Sequence, residues 1–174
     1  MSEIIFIDLT QIIPNTFNPN EMPKETFDSL LEDAKQHGAD AIDPIIIRPL
    51  NFVDGRQQYE IIDGEHRWKV AKQLEWQKIR VIIQKVSLDE AKAINYRKNK
   101  ERGSLNPFKE AQLFEGEYDA GLTLEQIGSK YGISHSQVSQ RLSLLNISEE
   151  AKFIVTRVTM EKVSPSHLEA IASI

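Results

Sequence analysis

The chain of 174 residues contains no cysteine, which excludes disulfides, thiolate metal sites and a cysteine nucleophile. It has no run approaching the roughly 20 apolar residues that span a bilayer. Its first residues, Met1-Ser-Glu-Ile-Ile-Phe-Ile-Asp8, lack the basic start and long apolar core of a secretory signal. A cytoplasmic protein with no membrane partner is expected. Internal repeats and low-complexity segments are absent too. So is any excess of positive charge: up to Lys100 there are 14 Lys and Arg against 16 Asp and Glu, and from Glu101 onward 7 against 10. Because Lys and Arg supply most non-specific affinity for nucleic acid, a single copy is expected to hold a polyanion weakly.

What is present suffices for a core. Hydrophobic residues make up 40% of the chain, and the length accommodates one ordinary domain or two small ones. The first half alternates strands and helices. Glu3–Leu9, Asp43–Leu50 and Ile79–Val86 are rich in Ile and Val, as strands are. Asp54-Gly55 predicts a hairpin turn. Lys24–His37 places Phe27, Leu30, Leu31 and Ala34 at helical spacing, with Gly38 as the stop. Trp68–Leu74 is expected to continue as a short helix, with Trp68 and Trp76 packing it onto the sheet.

Beyond Val86 the strand signals cease. Ser87-Leu-Asp-Glu90 reads as a capping box, in which serine and glutamate satisfy the free N–H groups of a starting helix. That helix is expected to run to about Asn99. Asn106-Pro107 opens another, with an N-cap and proline at the first position. Further starts are signalled at Thr123, Ser134, Ser148 and Ser164-Pro165. The fold class predicted is α+β: a mixed-sheet α/β domain over 1–86, then an all-helical domain over 87–174. The chain stops at Ile174 while still apolar, which points to a fragment or to a helix that packs against a partner.

Two stretches carry functional signals. Thr123-Leu-Glu-Gln126 and Ser134-His-Ser-Gln137 are successive capping boxes, and Tyr131-Gly132-Ile133 joins the helices they open. Gly128 suits a close crossing, and Val138, Leu142 and Leu145 form one apolar face. This helix-turn-helix over 123–145 leaves Ser134, His135, Ser136, Gln137, Ser139, Gln140 and Arg141 around the start and outer side of its second helix. That end of a recognition helix meets base edges in the major groove of duplex DNA. Gln suits adenine, Arg suits guanine, and Ser serves either or a phosphate. The competing reading is a helical hairpin with a merely solvated face.

The other stretch is Asp63-Gly64-Glu65-His66-Arg67, between an apolar strand and a helix. Gly64 permits positive φ and close backbone approach, while helix-start N–H groups with Arg67 beside them suit a polyphosphate. Glu65 could meet a ribose hydroxyl, a metal or a cation. A salt bridge capping the helix explains the string equally well. His66 has no second histidine nearby in sequence and is more simply structural.

The ordered set of these motifs resembles the ParB family of DNA-partitioning proteins. Ile12–Asn20 is similar to its first motif, Pro44-Ile-Ile-Ile-Arg48 to its Pro-Ile-X-Val-Arg strand, and Tyr59–Ala71 to its Gly-Glu-Arg-Arg motif. Asn99-Lys-Glu-Arg102 and Leu105-Asn-Pro107 fall on its third. The resemblance implies a ParB/sulfiredoxin-like N-terminal domain that binds CTP with Mg²⁺, and a helix-turn-helix that binds a parS-like DNA site. It also implies nucleotide-induced closure of two protomers, slow CTP hydrolysis and a ParA-type ATPase partner. Carried over, Gly64, Glu65, His66 and Arg67 would cradle the phosphates, Asn18 and Asn20 would belong to the first motif's contribution, and Asn99 would lie near the metal.

Three departures bear on this. Asn20 replaces the first motif's arginine, His66 replaces an arginine of the second, and Lys98 stands where the family has a metal-binding glutamate. A lysine there repels Mg²⁺ but can pair with a phosphate, so the departures weigh against Mg²⁺-dependent hydrolysis. The family's C-terminal dimer domain is absent from this sequence. Sulfiredoxin shares the turn but needs a cysteine where Glu65 stands. A small-molecule kinase or nuclease would use Glu65 or Asp63 but leaves the helix-turn-helix without a role. A transcription regulator, or a plasmid or phage accessory protein with no working nucleotide switch, is the main alternative.

Overall fold

A computed structural model describes residues 3–20, 22–103 and 105–146. The helix starts expected at Ser148 and Ser164 lie outside the described residues. The chain divides into two compact units, 1–104 and 105–174.

The first unit is built on five strands: β1 (Ile4–Asp8), β2 (Ile12–Ile13), β3 (Ile45–Val53), β4 (Arg56–Asp63) and β5 (Lys78–Ile83). Their order across the sheet is β1-β5-β3-β4-β2. β1 with β5 and β3 with β4 are antiparallel, whereas β3 with β5 and β2 with β4 are parallel. The β3–β4 hairpin turns through Asp54 and Gly55, both at positive φ (49° and 74°), the conformation that matches strand twist in a two-residue turn. The two-residue strand β2 has no sequence signal of its own; it exists because β4 offers a free edge.

Three helices cover this sheet: α1 (Lys24–His37), α2 (Glu65–Gln73) and α3 (Leu88–Glu101). Successive side chains of a strand point to opposite faces, and the Ile run of β3 is consequently shared between two cores. Ile45 and Ile47 join Leu31, Ala34, Trp68, Val70 and Ala71 in one cluster, against which Trp76 also packs. Ile46 and Ile62 meet Ala91, with Ile94 packed alongside. Burial on both faces explains why β3 opens as a continuous apolar run rather than an alternating one.

Helix α3 therefore belongs with the sheet. The expected boundary at 86 falls too early, since the first compact unit runs on to Ser104. The helix starts with the capping box Ser87–Glu90 as anticipated. Its Ala91, Ala93, Asn95 and Asn99 are buried, however, Ala91 against Ile46 and Ile62 and Asn95 on the carbonyl of Ile62, a placement that the end of the strand signals does not disclose.

The second unit contains α4 (Pro107–Asp119), α5 (Leu124–Tyr131) and α6 (His135–Ser143), then a 3₁₀ turn over Leu144–Asn146. Asn106 caps α4 by accepting from Phe108 and Lys109 N–H at 2.9 and 3.2 Å. Among the described residues, Ala111, Phe114, Ile127, Tyr131, Val138 and Leu144 are its buried apolar ones. The apolar face expected from Val138, Leu142 and Leu145 differs in detail. α6 ends at Ser143, and the tighter turn after it buries Leu144 and leaves Leu142 and Leu145 half-buried.

Candidate functional site

Strand β4 delivers Asp63 to the edge of a cavity of about 380 Å³, and Gly64 turns the chain directly into α2. Gly64 sits at φ 99°, ψ 25°. A Cβ there would lie 2.6 Å from Ile45 Cγ2 and 2.9 Å from Arg67 Nη2. Glycine is thus required twice, for the left-handed backbone and for the close approach. It has no side chain to cap α2, and helix geometry leaves the first-turn N–H groups without intrahelical acceptors. These are the groups that make a helix start attractive to anions.

Of the expected residues, Asn18, Asn20, Gly64, Glu65, His66, Arg67 and Asn99 all line this cavity. The structure brings together positions from three separate stretches. Glu65 pairs with Lys69 at 2.6 Å and accepts from Asn18 Nδ2 at 2.8 Å. Burial opposes its ionisation, but the bonds from Lys69 and Asn18 prevail and hold its carboxyl below the ordinary value. His66 sits edge-on to Phe27 with ring centroids 6.5 Å apart. Lys98 is half-buried on α3 and does not line the cavity.

The cavity lining also includes Asn15, Asn95 and Arg102, which the sequence did not assign to the site, and Asp63 of the glycine-containing turn. Asn15 and Asn95 donate to the carbonyls of Ile61 and Ile62 at 2.8 and 2.7 Å, fastening the first loop and α3 to the end of β4. Asn99 donates to Asn95 Oδ1 at 3.0 Å and Asn18 Oδ1 at 3.2 Å. The only sequence hint was the i, i+4 spacing of Asn95 and Asn99 on one helix face.

Asp63 is the electrostatic centre of the cavity. Its carboxylate is 7% exposed and is shared by Arg102 (2.6 Å) and Arg67 (3.1 Å). Burial raises its pKa, but the hydrogen bond and charge of Arg102, with Arg67 and Lys98, outweigh burial and hold the carboxyl below the usual range. Arg67, expected to face phosphates, also donates to the carbonyls of Asp43 (3.0 Å) and Pro44 (2.9 Å). It ties the segment before β3 to the start of α2.

The donor set holds no ready-made cluster for a metal ion bound by protein groups alone. Among the described residues there is no group of three or more His, Asp or Glu able to hold one. Asp63 and Glu65 already have cationic partners, and the amide of Asn99 is a weak ligand beside them. The set does fit polar, hydrogen-bonding parts of an organic ligand. Asn20 Oδ1 is buried with no hydrogen-bond partner, an acceptor that a ligand N–H or O–H would satisfy.

In the helical unit both capping boxes form as read, at Thr123–Gln126 and Ser134–Gln137. Gly132 closes α5 at φ 70°, and a Cβ on Gly128 would lie 2.7 Å from the carbonyl of Ile133. His135, Ser136, Gln137, Ser139 and Gln140 are exposed on α6. Ser134 and Gln137 spend part of their capacity on the cap, since Gln137 Oε1 accepts from Ser134 N–H at 3.0 Å. Arg141 departs from expectation. Its Nε binds the buried Glu110 at 2.7 Å and its side chain is only 18% exposed, so it braces α6 on α4 instead of standing on the open face. Lys130 is likewise paired, with Glu117 at 2.7 Å.

Comparison with known proteins agrees with this geometry. Residues 1–100 match the ParB N-terminal domain family, and residues 104–144 match Sigma-70, region 4. The chain belongs to the ParB family. It is 29% identical over 174 residues to a nucleoid occlusion protein of Lysinibacillus sphaericus, covering 99% of this chain and 55% of that protein. It thus spans about half the length of the curated relatives it matches. Two structures of C-terminally truncated chromosome-partitioning ParB from Caulobacter crescentus, each 22% identical, share the fold. One, complexed to the centromeric parS site, has TM-score 0.57 over 97% of this chain and 84% of that one. The other, complexed with CTP-γ-S, has TM-score 0.50 over 99% and 93%. Among the described residues no helix is long and apolar enough to cross a membrane.

Proposed function

We propose that this protein is a DNA-binding partition protein of the ParB type, reading a parS-like duplex through α6 and taking a nucleotide, CTP, in the cavity between β4, α2 and α3. The observation that carries the reading is a capped helix-turn-helix with an open polar face, in a chain whose other unit ends a strand in a glycine-bounded, uncapped helix start. His135, Ser136, Ser139 and Gln140 are the base-edge candidates, with Ser134 and Gln137 at the helix start suited to phosphate or groove contact. Arg141 supports them by positioning α6. Occupancy of the cavity would change the grip on DNA by closing two protomers, and a ParA-type ATPase is the partner such a protein would serve.

The nucleotide would bind through Gly64, Glu65, His66, Arg67, Asn18, Asn20 and Asn99, and the cationic partners of Asp63 and Glu65 compete with any role for them as Mg²⁺ ligands. A second reading, a transcription regulator or plasmid or phage accessory protein without a nucleotide switch, is favoured by one observation: Arg67 and Asp63 already satisfy each other.

Selection of bound fragments from random duplex, with and without CTP, tests both. The partition reading expects one enriched palindromic sequence whose yield changes with CTP. The regulator reading expects the same enrichment whether or not CTP is present. Ser139→Ala with Gln140→Ala should erase the preference; an unchanged preference would remove α6 from the role.

A further inference from the structure

The two guanidinium groups that line the cavity are not equivalent. Arg67 is 17% exposed and donates to two backbone carbonyls as well as to Asp63. Its Nη2 lies so near the backbone of Gly64 that a single methyl group there would come within 2.9 Å of it. Withdrawing Arg67 would release the 43–44 segment and strip two carbonyls of their donor. Arg102 is 45% exposed. It ends α3 as its C-cap, and among the described residues its guanidinium bonds to side chains: Asp63 at 2.6 and 3.3 Å and Asn99 at 2.9 Å.

We propose that Arg102, rather than Arg67 of the glycine-bounded turn, is the cation that answers a phosphate in this cavity. An arriving phosphate draws Arg102 from Asp63 by offering a bidentate acceptor of higher charge. The exchange is feasible because Asp63 is not orphaned by it: Arg67 stays 3.1 Å from its Oδ2. Asn99, released from Arg102, keeps its donors on Asn95 and Asn18. Arg67 thus acts as the fixed clamp, and Arg102 as the exchangeable one. Arg102 also supplies positive charge to a site where position 66 carries histidine.

This inference rests on the nucleotide reading, and the test separates the two. The full chain, its Arg102→Gln and Arg102→Lys variants are titrated calorimetrically with CTP, with cytidine and with inorganic tripolyphosphate. Arg102→Gln is expected to weaken CTP and tripolyphosphate at least tenfold while cytidine binds as before, and Arg102→Lys is expected to recover part of the loss. Arg67→Lys and Arg102→Gln are both expected to lower the ligand-free thermal midpoint, the first by freeing the carbonyls of Asp43 and Pro44 and the second by removing a partner of the buried Asp63. Unchanged CTP affinity in Arg102→Gln overturns the proposal, as does equal loss of CTP and cytidine, which would mark a structural role. If the unsubstituted protein binds neither CTP nor tripolyphosphate, the nucleotide reading fails and this proposal with it.

Discussion

Replacing Gly64 by alanine tests whether the cavity depends on a close backbone approach. Two costs add. A non-glycine residue held in the left-handed region loses roughly 1–2 kcal/mol. The new methyl group would lie 2.6 Å from Ile45 Cγ2 and 2.9 Å from Arg67 Nη2, and Ile45 is fully buried in the sheet. Overpacking of that kind costs about 1–3 kcal/mol more. The sum, about 2–5 kcal/mol, is a large part of the stability of a unit this size. Gly55→Ala is the control: φ is 74° there and no atom lies within 4 Å of the added carbon, so only the backbone cost applies. For a unit of roughly 100 residues each kcal/mol moves the melting midpoint by about 4–8 °C. Thermal unfolding followed by circular dichroism should therefore show a fall on the order of 10 °C or more for Gly64→Ala, and a distinctly smaller one for Gly55→Ala. Equal shifts would mean that Ile45 and Arg67 yield freely, and that the turn is not the rigid element described above.

Two further tests follow from paired charges. Replacing both Glu110 and Arg141 by glutamine exchanges a buried ion pair for a neutral hydrogen-bonding one, so the helical unit should stay folded and the salt dependence of DNA binding should not change; a slope shallower by about one would show that Arg141 meets a phosphate. Asp63 and Glu65 both have carboxyl groups held below their ordinary values, so the stability they contribute is present above the unfolded-state values of 3.8 and 4.5 and is lost as pH falls through the lower folded-state values. Asp63→Asn should flatten that acid limb in pH-dependent unfolding, and an unchanged limb would refute the assignment.

Local signals in the sequence placed most elements correctly, because the forces behind them are local. Lys24–His37 is the helix that spacing and Gly38 predict, and all three capping boxes form between residues three apart. The Asp54-Gly55 turn needs only its own two residues. Errors arose where a distant neighbour decides. The Asn-rich stretch of α3 reads as a separate helical domain, yet Asn95 and Asn99 are buried, and Asn95 donates to the carbonyl of Ile62 near the end of β4. Arg141 reads as an open-face cation, and only α4 reveals the buried carboxylate that claims it.

By itself the sequence determined the family, most of the elements, the helix-turn-helix and the glycine-bounded turn, because turns, caps and periodic faces are written in neighbouring residues. Tertiary structure alone decided which charges are available. Arg102 lies 39 positions from Asp63, and nothing local says that it shares that carboxylate with Arg67. Electrostatic partnership depends on distance through space and on burial, and the fold supplies both.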